Sequence, residues 1–276
     1  MEAETLRAAA VQLQSQDDVP QNLAECARLV AECGTAGAKL VVLPENFAFF
    51  GSEESKRAHA ERLAEPGGQI QRALADMARN ARVFLVAGGF PEASSEPDRP
   101  YNTALVYGPD GARINAYRKL HLFDVQLQDG STLAESAGTT AGAPEDSLIT
   151  FDVGPFRVGL SICYDLRFPE LYRALVARGA NVLLVPAAFT SHTGKDHWRP
   201  LLQARAIESQ AYVIAAAQWG KHPRGRLTHG HSMIVDPWGT VIAEASDQVG
   251  FVSATLDHAY LQRVRAAIPC LAHRRL

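Results

Sequence analysis

Gly37-Ala-Lys-Leu-Val-Val-Leu-Pro44 and Gly179-Ala-Asn-Val-Leu-Leu-Val-Pro186 are two copies of one pattern, and that recurrence decides the fold. Each copy is an amphipathic helix ended by glycine, then a short all-apolar strand closed by proline. The likeness extends outward from these strands. Leu105-Val-Tyr-Gly-Pro-Asp-Gly111 resembles Met233-Ile-Val-Asp-Pro-Trp-Gly239, each reading as a strand, a tight turn and a returning strand. Helical residues 69–80 lead into an apolar strand at 83–88, as helical residues 198–209 lead into 212–217. The first strand, residues 7–13, has its counterpart in residues 157–163.

A period of about 130 to 150 residues is too long for a solenoid unit and reads as the doubling of a β-α-β-α-β-β half. Each half forms one sheet with helices on its outer side. Two such sheets bury their remaining faces against each other, which predicts an α/β chain folded as a four-layer α-β-β-α sandwich. The near-continuous apolar strands suit sheets covered on both faces. One domain is expected over residues 1–276. Residues 94–100, with two prolines, read as a surface loop. Residues 261–276 read as a short helix followed by an extended arm containing Pro269, of the kind that can cross to a neighbouring subunit.

The 276 residues are 47% hydrophobic and 21% charged, with a net charge of -3. No block of like charge is long enough for a nucleic-acid arm or a polybasic membrane patch, so neither partner is expected. No apolar run approaches the roughly 18 residues of a membrane span. The acidic start, Met1-Glu-Ala-Glu-Thr-Leu-Arg7, runs straight into a strand, which speaks against a secretory signal or a basic transit peptide. The four cysteines, Cys26, Cys33, Cys163 and Cys270, include no C-x-x-C pair. Cys26 and Cys33 lie on a helix face with Leu23, Ala27 and Val30, their Cα atoms about 10 Å apart along the axis and beyond disulfide reach. A reducing, cytoplasmic setting is the expectation.

The duplication is most informative where it breaks. Pro44 is followed by Glu45, whereas Pro186 is followed by Ala187; Leu13 matches Cys163. Each half thus keeps one reactive side chain at the carboxyl end of a strand, where open α/β sheets place ligands. Cys163 lies in Phe156-Arg-Val-Gly-Leu-Ser-Ile-Cys-Tyr-Asp-Leu-Arg-Phe-Pro-Glu170, after an apolar strand at 158–162 and before a helix opened by Pro169. A thiol there would meet the positive end of a helix, which favours the thiolate. Glu45, followed by Phe47, Phe49 and Phe50, reads as a partly buried carboxylate. Lys119 ends an alternating strand in residues 114–124 and, by position alone, is a solvent-exposed tip. Glu135 lies in a long polar linker.

Rival chemistries find little support. Nothing aims His121 or His192 at Cys163 as a papain-like partner. The pairs His229/His231 and His192/His197 lack a third zinc ligand at workable spacing, and no H-E-x-x-H occurs. Phosphate-cradling and dinucleotide glycine motifs are absent. No metal and no cofactor is expected.

Together, Leu-Pro-Glu-Asn around Glu45, Tyr-Arg-Lys-Leu-His-Leu-Phe around Lys119 and Ile-Cys-Tyr-Asp-Leu-Arg-Phe-Pro-Glu around Cys163 resemble the carbon–nitrogen hydrolase (nitrilase) superfamily along essentially the whole chain. The resemblance implies the same α-β-β-α fold and the hydrolysis of a small-molecule amide. It implies Cys163 as nucleophile, Glu45 as general base and acid, and Lys119 with the backbone N–H of Tyr164 as oxyanion stabilisers. Glu135 takes a supporting role on family likeness alone, and a homodimer or higher homo-oligomer is expected on the same ground.

Within that superfamily the second half is most similar to the branch that hydrolyses deaminated glutathione, giving 2-oxoglutarate and cysteinylglycine. The segments that carry this are Ala-Phe-Thr-Ser-His-Thr-Gly-Lys-Asp-His-Trp198, Gln-Ala-Arg-Ala-Ile-Glu-Ser-Gln210, Ala-Ala-Ala-Gln218 and Gly-His-Ser-Met-Ile-Val-Asp-Pro-Trp-Gly239. Trp219 and residues 227–229 depart from the animal pattern near the expected pocket rim. An omega-amidase acting on 2-oxoglutaramate is the alternative, with a nitrilase or an N-carbamoyl amino acid hydrolase behind it. A non-catalytic binding module on the same fold is the reading from a different class. Substrate carboxylates call for cationic or N–H-rich partners. Phe189 and Thr190 are candidate substrate contacts; Thr190, Ser191, Lys195 and Arg199 read as the loop after the strand that precedes the pocket, and Arg167 follows Cys163.

Overall fold

The computed structural model describes residues 4–64, 67–126 and 132–275, except the side chain of residue 53. In the first half, β1 (Thr5–Leu13), β2 (Leu40–Leu43) and β3 (Phe84–Glu92) run parallel, and β4 (Tyr101–Tyr107) and β5 (Arg113–Arg118) return antiparallel. Helix α1 (Val19–Thr35) joins β1 to β2; α2 (Glu53–Ala58) and α3 (Gln69–Ala81) join β2 to β3. A small pair, β6 (Asp124–Gln126) and β7 (Thr132–Ala134), precedes β8 (Thr150–Val153).

The second half repeats the order. Strands β9 (Phe156–Gly159), β10 (Val182–Leu184) and β11 (Tyr212–Ala215) are parallel, with α4 (Pro169–Ala177) and α5 (Ser191–Ser209) as crossovers. A hairpin, β12 (Ala217–Lys221) and β13 (Leu227–His229), leads to β14 (Met233–Val235) and β15 (Val241–Glu244), which return antiparallel. The chain ends in β16 (Gly250–Asp257) and α6 (His258–Ala267). Even the outer edges correspond, since β16 pairs antiparallel with β1 as β8 does with β9.

Side-chain alternation sets the layers. Ala9, Val11, Val41, Leu43, Leu85, Ala87 and Leu105 face α1 and α3, packing on Leu23, Cys26, Val30, Ile70 and Leu74. Their neighbours Ala8, Ala10, Leu40, Val42, Val86, Ala104 and Val106 face the second sheet and share its core with residues of α4 and α5. Four layers result, as the repeat predicts. The run at 212–221 behaves differently from the single strand expected at 212–217. It pairs with β10 as far as Ile214, crosses at Ala216 and continues as β12 beside the end of β1. That crossing ties the two sheets together at their carboxyl ends.

Local chemistry explains the element ends. Asp18 caps α1, its carboxylate accepting the Gln21 N–H at 3.0 Å. Glu61 caps α3 from a distance, accepting the N–H groups of Ile70 and Gln71. Several expectations need correction. Ala27 is exposed, because the buried stripe of α1 runs through Leu23, Cys26, Leu29, Val30 and Cys33. Helix α5 begins at Ser191 rather than 198; Gly194 and Pro200 interrupt its propensity, but burial of Trp198 and Leu202 holds it in register. Strand β9 stops at Gly159, short of 162. The expected extended arm is a compact turn, in which Ala272 and His273 donate backbone N–H groups to the Pro269 carbonyl. Just ahead of it, Gln210 Nε2 donates to the Ile268 carbonyl at 2.6 Å. Among the described residues no helix is long and apolar enough to cross a membrane.

Candidate active site

Glu45, Lys119 and Cys163 meet where the two sheets adjoin. Glu45 follows β2 and Pro44 and is 4% exposed. Its turn is held from three sides. Asn46, at φ 58°, donates its N–H to the Gly89 carbonyl; Gln218 Nε2 donates to the Glu45 carbonyl at 3.0 Å; and Ser15 Oγ donates to the Phe47 carbonyl. Gly88 is required here, since a Cβ on it would lie 2.1 Å from the Cβ of Pro186 in the opposite sheet.

Cys163 is 8% exposed and opens a five-residue 3₁₀ turn, Cys163–Arg167, with α4 starting only at Pro169. Its φ of 49° lies in the left-handed region that non-glycine residues seldom occupy, and its N–H donates to the Pro186 carbonyl at 2.9 Å. Asp165 over-determines this turn from complete burial. Its carboxylate accepts from Tyr117 Oη at 2.7 Å, from the His121 N–H and Nδ1–H at 3.0 and 2.7 Å, and from the Ile162 N–H at 2.8 Å. Tyr117 and His121 flank Lys119, so one buried carboxylate fixes the lysine's strand end against the cysteine's turn.

Lys119, 2% exposed, is not the solvent-exposed tip its position suggests. Its ammonium donates to Glu45 Oε1 at 2.9 Å and to Glu135 Oε1 and Oε2 at 3.0 and 2.8 Å. Glu135, at the start of a 3₁₀ turn after β7, also accepts the Phe123 N–H at 2.7 Å. Asn102 Nδ2 donates to both carboxylates, at 2.9 Å to Glu45 and 3.1 Å to Glu135. The Ala188 N–H donates to Glu45 Oε2 at 3.0 Å, and the Cys163 N–H donates to the Pro186 carbonyl of the same segment, which sets the Glu45 carboxylate close enough to the Cys163 thiol to oppose its ionisation.

The electrostatics follow from this geometry. Burial and then the Glu45 carboxylate push the Cys163 thiol well above its ordinary range, and Lys119 only partly offsets them. The expected thiolate-favouring helix end therefore does not decide the resting state: the sulfur keeps its proton. Burial also opposes the Lys119 ammonium, yet Glu135, Glu45 and Cys163 together hold it well above the usual lysine range. Glu135 is likewise opposed by burial but brought below its ordinary value by Lys119 and Lys56.

Two stability predictions arise. Lys119→Met leaves two buried carboxylates facing each other and should cost about 3–5 kcal/mol in denaturant melts. Glu135 binds a proton less readily folded than unfolded, so its stabilisation is full above its ordinary value of 4.5 and is lost as pH falls through its lowered folded value. Thermal melts should show wild type losing stability relative to Glu135→Gln on acidification below 4.5, and a constant difference would refute the coupling.

The remaining candidates sit around this centre. The Tyr164 N–H precedes the turn's first internal hydrogen bond, from the Asp165 N–H to the Ile162 carbonyl, so it belongs to the donors a helix start leaves free. Buried Phe189 packs on Trp198 with ring centroids 5.0 Å apart, and Thr190 Oγ1 shares a hydrogen bond with Thr193. Ser191, Lys195 and Arg199 are on α5 rather than in a loop; Lys195 pairs with Asp196 and Arg199 with Glu244. The Arg167 guanidinium lies 5.2 Å over the Phe189 ring and hydrogen-bonds His197, with no ion pair among the described residues. Sequence reasoning missed Asn102, Asp165 and Gln218. Asn102 left a signal, as the one polar residue in the Asn102, Ala104, Val106 series that faces the core. Among the described residues no cluster of His, Cys, Asp or Glu is placed to hold a metal ion.

A buried cysteine beside a hydrogen-bonded glutamate and lysine, on a doubled α-β-β-α sandwich, is the arrangement the comparisons assign to a hydrolase class. The carbon-nitrogen hydrolase family model matches residues 7–266, and the chain belongs to that family; it is an enzyme that hydrolyses amide C–N bonds. It is 47% identical over 268 residues to a Synechocystis protein named deaminated glutathione amidase, covering 97% of each chain. Its fold matches the C. elegans NitFhit crystal structure with a TM-score of 0.91 at 38% identity, covering all of this chain and 66% of that one. A further match, with a TM-score of 0.79 and 27% identity over 96% of this chain and 98% of the other, is an amidase from Nesterenkonia sp. AN1. In that structure a glutamate-to-glutamine mutant shows Michael addition of acrylamide at the active-site cysteine.

Proposed function

We propose that this single-domain chain, residues 1–276, cleaves a small carboxylated amide through a Cys163 thioester, with deaminated glutathione as substrate. The observation that carries the chemistry is the buried Glu45 carboxylate, held through Oε1 by Lys119 and through Oε2 by the Ala188 N–H, beside the buried Cys163 thiol whose ionisation it opposes. Because the sulfur rests protonated, its proton passes to Glu45 as sulfur attacks the amide carbon. The tetrahedral oxyanion is stabilised by the Lys119 ammonium and the Tyr164 N–H. Glu45 returns the proton to the departing nitrogen as the C–N bond breaks. It then deprotonates a water that attacks the thioester, and reprotonates the leaving sulfur.

The name of the Synechocystis relative supports the substrate, which would release 2-oxoglutarate and cysteinylglycine. Arg167 fits its oxo-acid carboxylate, being the cation of the rim that stands without an acidic partner among the described residues. A soluble cytoplasmic homodimer or higher homo-oligomer completes the proposal. A panel of deaminated glutathione, 2-oxoglutaramate, a nitrile and an N-carbamoyl amino acid tests it. The first should give the highest kcat/KM, by about tenfold or more over 2-oxoglutaramate, which corresponds to one extra contact of roughly 1.4 kcal/mol. A reversed order would reassign the enzyme as an omega-amidase, and no turnover of any member would reject the substrate class.

A further inference from the structure

Asn102 sits second in β4, is 2% exposed, and belongs to none of the catalytic roles above. Its backbone and side chain both serve the site. The Asn102 carbonyl accepts the Lys119 N–H at 2.8 Å, so the lysine and the asparagine face each other across the β4–β5 ladder. Its Nδ2 bridges Glu45 Oε1 and Glu135 Oε1, the same two oxygens that Lys119 Nζ bridges. The amide has only one workable orientation, because turning it over would set Oδ1 against two carboxylates. As it stands, Oδ1 is buried with no partner over Gly89, where a Cβ would approach it to 2.6 Å and Glu45 Cγ to 2.8 Å. A buried acceptor left unsatisfied is unfavourable, so its retention points to what the Nδ2 does.

A carboxylate oxygen accepts about two hydrogen bonds. Glu45 Oε1 already has two, from Lys119 and Asn102, while Oε2 has the Ala188 N–H and one open position, on the 186–188 segment that also accepts the Cys163 N–H. Lys119 cannot hold this arrangement alone. Its three N–H donors are spread over Glu45 Oε1 and both Glu135 oxygens, and one of them must turn to the oxyanion when the substrate reacts. At that moment a neutral second donor keeps both carboxylates in place without adding a competing charge.

We infer that Asn102 is a positioning residue that saturates Glu45 Oε1 and so makes Oε2 the oxygen that exchanges the proton with Cys163. The inference rests on the proposed thioester mechanism and deepens it. It predicts an effect on the chemical step alone, since Asn102 does not touch substrate. Asn102→Leu, similar in volume but without a donor, should lower kcat on the order of 10²-fold through a misplaced base and leave KM within about twofold. Asn102→Asp should be worse than Asn102→Leu, because it sets a third carboxylate against the first two. Should Asn102→Leu not fold, as judged by its melting curve, Asn102→Ser keeps the fold's demand small and is too short to bridge both carboxylates. It should show the same split between kcat and KM.

The measurement is steady-state hydrolysis of deaminated glutathione, run beside wild type and Cys163→Ala. If wild type is active and Cys163→Ala is not, an Asn102→Leu enzyme with wild-type kcat overturns the inference, as does an Asn102→Asp enzyme faster than Asn102→Leu. If Cys163→Ala keeps its activity, the thioester mechanism itself falls, and the role given to Glu45 Oε2 falls with it.

Discussion

Cys163→Ala is expected to reduce turnover by on the order of 10⁵-fold or more, while the protein melts within a few degrees of wild type. Removing the sulfur removes the atom that forms the thioester, and neither neighbour can replace it. Lys119 is held as an ammonium by Glu135, Glu45 and Cys163, so it has no lone pair to offer. Asp165 has its carboxylate occupied by Tyr117, His121 and Ile162. Cys163→Ser should be nearly as inactive, because a hydroxyl holds its proton more tightly than a thiol that is already hard to ionise here. The fold survives because the turn is held by Asp165 and Pro186 rather than by sulfur. Mass spectrometry of wild type quenched during slow deacylation should find the acyl group on the Cys163 peptide. Undiminished hydrolysis by Cys163→Ala would eliminate the mechanism.

Glu45→Gln should cost about 10³-fold or more in kcat, because the same carboxylate serves both half-reactions. It separates two properties of the cysteine that are often treated as one. In the proposed mechanism Glu45 takes the thiol proton during attack, and in the resting site it also raises the thiol's pKa. Glutamine removes both effects and leaves the Lys119 charge in place, so the sulfur becomes easier to ionise even as turnover collapses. Alkylation by a small neutral reagent should therefore persist at Cys163 in Glu45→Gln, while Cys26 and Cys33, fully buried, the first thiol pushed up by burial and the second pushed up to about 12, stay unlabelled in the folded enzyme. The acrylamide adduct in the corresponding type of mutant of the Nesterenkonia amidase is chemistry of this kind. A Glu45→Gln enzyme that still acylates rapidly from amide substrate would show that another group is the base.

The two variants also separate chemistry from architecture. In the proposed mechanism Glu45 and Cys163 act on substrate, whereas Lys119 stabilises charge and also holds two carboxylates together, so its loss should appear in stability as well as in rate. A screen that ranked these positions by activity alone would treat them as equals.

Much of this was legible before any coordinate. The doubled half and the layer count follow from two near-copies of a helix–strand pattern, and the differences at their ends singled out Glu45 and Cys163 as candidates. The site's supporting parts were not legible, for a physical reason. Asp165 and Gln218 act across 44 and 173 residues, on His121 and Glu45, and a side chain's partner at that separation leaves no periodic trace. The start of α5 was hidden because Gly194 and Pro200 lower helix propensity, which packing of Trp198 overrides.

By itself, then, the sequence determined what repeats, which residues are apolar on which face, and where reactive side chains break the repeat, since these depend on neighbours a few residues away. Only the tertiary structure decided that Lys119 is buried rather than exposed, that Cys163 rests protonated, and that Asn102 joins two carboxylates. Each of these depends on how much water and which charges the fold leaves around a group, and that is set by distant segments brought within about 3 Å, at hydrogen-bond distance.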